Sequence, residues 1–74
     1  MQQIQEFFNK IDRSDINETM QNLLSDDIID SIDIMALVAE IEKYYKKPLK
    51  ADFIKAENFE SFKNIKEMLE IAMQ

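Results

Sequence analysis

Ser31 is the residue on which chemistry could be built, because it stands in the run Asp30-Ser31-Ile32-Asp33 where a strongly periodic helix is expected to begin. A hydroxyl at a helix start lies near free backbone amides and the positive pole of the helix dipole. That environment stabilises an anion by about 0.3–1 kcal/mol. A phosphodiester formed on Ser31 would be well placed there. The competing reading is that Asp30 and Ser31 only cap the helix, a position both residue types favour. Hydrolysis with Ser31 as nucleophile lacks its usual base. The chain has no His, and Lys or Asp are poor substitutes in a triad.

The chain also has no Cys and no Gly, which removes soft metal ligands and every glycine-dependent phosphate loop. Asp26, Asp27, Asp30 and Asp33 cluster in sequence, yet they lack the spacing and the glycine of an EF-hand, so no metal site is expected.

Four helices are expected to position Ser31. Ile4, Phe7, Phe8 and Ile11 fall at i, i+3, i+4 and i+7, one face of a first helix that should end near Arg13. Residues 14–30 carry Ile16, Met20, Leu23, Leu24, Ile28 and Ile29 among Asp, Asn and Ser, the pattern of a long loop pinned by apolar anchors. A second helix should start at Asp30, as N-cap or first-turn acid, and carry Ile34, Leu37, Val38, Ile41 and Tyr45 on one face. Lys43, Lys46 and Lys47 suit its negative pole, and Pro48 cannot continue it, so it should run to about Lys46. Asp52 could cap a short third helix over Phe53 to Glu57. Ser61 could cap a fourth with an apolar stripe of Phe62, Ile65, Met68, Leu69 and Ala72. The expectation is an all-α, four-helix bundle with a short third helix. Phe7, Phe8, Tyr45, Phe53, Phe59 and Phe62 would be its aromatic anchors.

At 74 residues the chain is one domain, and a domain this small buries only about 60% of its unfolded surface, so a deep substrate cavity is not expected. Without Cys the fold cannot depend on disulfides, which suits a cytoplasmic setting. Met1 to Ile11 lacks the basic and apolar regions of an export signal, and no apolar run reaches the length of a membrane span. The net charge of −6 disfavours nucleic acid and anionic membranes and favours protein partners with basic patches. Its distribution is uneven. Residues 12–42 hold nine acids against Arg13, a balance of −8, and residues 43–55 hold five lysines against Asp52, a balance of +4. Most of these charges need be no more than a solvated surface.

The run Asp30-Ser31-Ile32-Asp33-Ile34-Met35-Ala36-Leu37-Val38-Ala39-Glu40-Ile41-Glu42 resembles the Asp-Ser-Leu-Asp segment of acyl and peptidyl carrier proteins. The resemblance covers nearly the whole chain. It includes the apolar first helix, Leu23 and Leu24 before Asp26-Asp27-Ile28-Ile29, the short third helix and the closing amphipathic helix, all in the family's order. It implies that Ser31, beside Asp30, is esterified with 4'-phosphopantetheine from coenzyme A by a phosphopantetheinyl transferase using a magnesium ion. The thiol of that arm would carry an acyl or aminoacyl group as a thioester. An acyl- or aminoacyl-loading ligase and downstream synthase enzymes would then supply the catalysis that a monomeric carrier lacks.

By the same resemblance Asp33, Glu40 and Glu42, together with Asp30, would meet Arg and Lys of partner enzymes, tuning encounter more than affinity. Met35, one turn beyond Ser31, could contact partners or simply fill the core. Ile34, Val38, Phe53, Ile54 and Phe59 are candidate cargo contacts as well as core residues. Ala36 and Lys43 stand where fatty-acid carriers often have glutamate, and Tyr44-Tyr45-Lys46-Lys47-Pro48 has no glycine. The segments Leu23 to Glu42 and Glu57-Asn58-Phe59-Glu60-Ser61 are more similar to D-alanyl and specialised stand-alone carriers. The competitor from another class is an unmodified acidic helical adaptor for a basic partner.

Overall fold

The computed structural model describes residues 2–73. Among them are three α-helices, α1 (Gln2–Lys10), α2 (Ser31–Tyr45) and α3 (Phe62–Ala72), and two 3₁₀ turns, Ala51–Phe53 and Ala56–Phe59. The all-α class and the spans of the second and last helices agree with the apolar periodicity. The expected short third helix does not form as one element.

Three observations account for that break. Ile54 (φ −88°, ψ 76°) and Lys55 (φ −129°, ψ 150°) leave helical geometry between the two turns. The Asn58 side-chain amide donates to the Phe53 carbonyl at 2.8 Å, satisfying a group that a continuous helix would have bonded itself. Phe59 is fully buried at the end of the second turn, so the chain bends to deliver it to the core. Asp52 lies inside the first turn and caps nothing; the residue preceding that turn is Lys50, which makes no side-chain cap.

α1 buries Ile4, Phe7 and Phe8 and ends three residues before Arg13. The Arg13 amide donates to the Phe8 carbonyl at 2.9 Å and the Asp12 amide to that of Asn9 at 3.2 Å, with Asp12 left-handed at φ 63°. This is a Schellman end, in which Asp occupies the position glycine usually takes. Asp tolerates that region better than most residues. In a chain without glycine, Asn22 (φ 55°) and Asp27 (φ 57°) turn the loop in the same way.

The long loop packs as its composition requires, with Ile16, Leu23 and Ile29 buried in the core. Gln5 of α1 donates to the Ile16 carbonyl at 2.9 Å. Farther along the loop, Glu60 holds it twice. Its carbonyl accepts from the Leu23 amide at 2.9 Å, and its carboxylate accepts from the amides of Leu24 and Ser25 and from the Ser25 hydroxyl, the last at 2.6 Å.

α2 contributes Ile34, Leu37 and Ile41 to the core, and α3 contributes Phe62, Ile65, Met68 and Leu69. Phe8 and Phe62 stack with ring centroids 5.1 Å apart. Ser61 caps α3 by accepting from the Asn64 amide at 3.2 Å, and Phe59 completes the core. Phe53 and Tyr45 are only partly buried against it. No helix among the described residues is long and apolar enough to cross a membrane.

Candidate functional site

Ser31 is the first residue of α2, and it is exposed. Asp30 is the N-cap, with extended backbone (φ −129°, ψ −174°). Its carboxylate accepts from the Asp33 amide at 3.0 Å, and the Asp33 carboxylate accepts in return from the Asp30 amide at 3.3 Å. This is a capping box with Asp in place of the usual Glu or Gln at its third position. Capping therefore falls to Asp30 and Asp33, which leaves the Ser31 hydroxyl free of that duty.

Asp33 has a second task. Arg13 Nη1 donates to its Oδ2 at 2.7 Å, with both side chains about three-quarters buried. Arg13 Nη2 donates to the Ile28 carbonyl at 2.6 Å, and Nε and Nη2 reach the two carboxylate oxygens of Asp15 at 3.2 and 3.3 Å. The Asp15 hydrogen bond raises the pKa of Arg13 further and holds the Asp15 carboxyl below the usual carboxylate range.

The other acids named from the resemblance are placed unevenly. Glu42 Oε2 accepts from the Leu49 amide at 2.8 Å, which ties the chain after α2 back onto the helix. Glu40 is half-buried and Asp30 is exposed. Asp33 and Glu42 are thus engaged inside the molecule.

Met35 resolves to the surface, 72% exposed, and Ile32 beside it is 74% exposed. Ser31 and Met35 are separated by four residues and Ile32 and Met35 by three, so the three share one side of α2. Periodicity did contain this signal. Ile32 and Met35 do not belong to the stripe of Ile34, Leu37, Val38, Ile41 and Tyr45, so burying that stripe turns them outward.

The five cargo-contact candidates differ in exposure. Ile34 and Phe59 are core residues, Val38 and Phe53 are half-buried, and Ile54 is 39% exposed. One open cavity of about 460 Å³ lies between the ends of α1, α2 and α3, lined by Ile4, Phe7, Tyr45, Leu69 and Met73 with polar neighbours. Tyr45 closes α2, about 20 Å along the helix from Ser31. A second, about 570 Å³, lies between the 3₁₀ turns and α3 and is lined by Phe53, Asn58, Met68 and Ile71 among others. Of the five candidates only Phe53 lines either cavity.

The described residues contain no cluster of three or more His, Cys, Asp or Glu able to hold a metal ion. Compared with protein-family models, curated proteins and solved structures, the chain matches none.

Proposed function

We propose that the chain is a carrier protein of the acyl- and peptidyl-carrier type, modified on Ser31 with 4'-phosphopantetheine. The observation that carries this reading is a serine at the first position of a capped helix, directly after its N-cap Asp30, exposed and relieved of capping by the Asp30–Asp33 box. The surroundings suit a phosphodiester. The helix start favours an anion, and the Asp30 and Asp33 carboxylates have hydrogen-bond donors of their own. In this reading the two 3₁₀ turns stand where such a four-helix bundle has its short third helix.

Modification forms a bond from Ser31 Oγ to the phosphorus of coenzyme A nearest the pantetheine. It breaks the pyrophosphate bridge, releasing the adenosine bisphosphate portion, while the hydroxyl proton passes to a base of the transferase. When bound, the group supplies a thiol on a long arm, to which an acyl or aminoacyl cargo is attached as a thioester. The chain brings no His or Cys to this transfer, and in this reading it acts by presenting Ser31. Partner contact falls to the side of α2 that bears Ile32 and Met35, with the exposed Asp30 at the start of the helix, because Asp33 and Glu42 hold internal bonds. A loading ligase and synthase enzymes are the partners this predicts.

The test is intact mass after incubation with coenzyme A, magnesium and a promiscuous phosphopantetheinyl transferase. Wild type should gain one phosphopantetheine and Ser31→Ala none. No gain by folded wild type would remove this reading and leave an acidic helical adaptor in which Ser31 is only a helix residue.

A further inference from the structure

We propose that Arg13 is the positioning residue for Ser31, an inference that rests on the reading of Ser31 as the modified residue. Ser31 lies at the joint between the long loop and α2, where its attitude depends on how residues 28–33 are held. The Arg13 guanidinium grips that segment on both sides of the serine. Nη2 takes the Ile28 carbonyl, three residues before it, at 2.6 Å, and Nη1 takes the Asp33 carboxylate, two residues after it, at 2.7 Å. The same Asp33 Oδ2 accepts from the Asp30 amide, so the grip passes directly into the capping box.

Arg13 is itself well anchored. It follows the Schellman end of α1, with its amide bonded to the Phe8 carbonyl, and Asp15 holds the rest of the guanidinium. Phe8 is fully buried. The start of α2 is thereby referenced to the end of α1 through one planar, forked side chain. Lysine cannot reproduce this geometry, because its ammonium is a single centre without a rigid fork. Asp33 accordingly orders the site from within, and Arg13, the sole cation among nine acids in residues 12–42, has a structural partner on each side of Ser31.

The test compares wild type, Arg13→Lys and Arg13→Gln in two measurements. The first is transferase kinetics with coenzyme A and magnesium. The second is amide hydrogen exchange over residues 28–33 by NMR. The expected result is a fall in kcat of roughly tenfold for both variants, with KM for the carrier little changed because Ile32 and Met35 remain exposed. Exchange should be faster at Asp33 and its neighbours while α3 keeps its protection, which also shows that the variants are folded. An Arg13→Gln, Asp33→Asn double variant should lose less than the two single losses combined, since both act through one contact. Wild-type kcat in Arg13→Lys, or unchanged exchange at residues 28–33, would overturn the proposal. If wild type itself is not modified, the reading of Ser31 falls and the positioning role with it. Faster exchange in Arg13→Gln would then still separate a true clamp from a failed modification.

Discussion

A carboxylate near Ser31 carries different meanings depending on what it touches, and composition alone cannot assign them. Asp30, Asp33, Glu40 and Glu42 look equivalent as acids on or beside one helix. Folding divides them, because Asp33 meets a guanidinium from twenty residues away and Glu42 meets a backbone amide. Glu60 is the same kind of case outside the site. Bonds from Ser25, and then from the Leu24 amide, hold its carboxyl below the usual range, as Arg13 does for Asp15. A carboxyl with a lowered folded pKa adds stability that is fully present above its unfolded value and is lost as pH falls through the folded value. Stability should therefore decline on acidification below about pH 5, where free carboxylates begin to protonate. Urea unfolding across pH 2–7 checks this. Glu60→Gln should be less stable than wild type near neutrality, and the two curves should converge in acid. A gap between them that stays constant with pH would contradict the role given to the charge.

The helices were legible because each depends on neighbours three or four residues apart, whereas their ends depend on backbone geometry that residue type only suggests. α2 stops at Lys46, which is left-handed at φ 59° with its amide on the Glu42 carbonyl at 2.8 Å. A residue with a Cβ atom is disfavoured there by about 1–2 kcal/mol, a cost that glycine avoids. Lys46→Gly should therefore raise unfolding free energy by about 0.5–1 kcal/mol after the greater freedom of the unfolded glycine is counted. Denaturant titration of the two proteins decides it, and a loss of stability would show that the lysine side chain holds a contact worth more than the strain. The split third element was less legible. Phe53 to Glu57 is compatible with a helix locally, and what breaks it is the Asn58 bond to the Phe53 carbonyl together with the need to bury Phe59.

At the scale of the whole molecule, the core draws on the three helices, the long loop and the second 3₁₀ turn. Phe59 is buried to 0% exposure although it belongs to no long helix. Removing a buried phenyl costs about 3–5 kcal/mol, and a domain of this size has only about 4–11 kcal/mol to lose. Phe59→Ala should thus unfold far below the wild-type melting temperature, while Met35→Ala, on an exposed side chain, should shift stability by no more than about 0.5 kcal/mol. Thermal circular dichroism of the pair tests the assignment of Phe59 to the core and Met35 to the surface. Equal shifts would refute it.

The spans of α2 and α3, the cap at Ser61 and the position of Ser31 at a helix start were legible in the sequence alone, since each is written in residues within a turn of one another. The tertiary structure decided what lies far apart in the chain. It set Arg13 against Ile28 and Asp33, placed Glu60 beneath Leu24 and Ser25, and put the cargo-contact candidates partly in the core and partly on the surface. The reason is that a helix satisfies its own backbone locally. A long loop does so only through partners that packing brings to it, and no periodicity records which partners those will be.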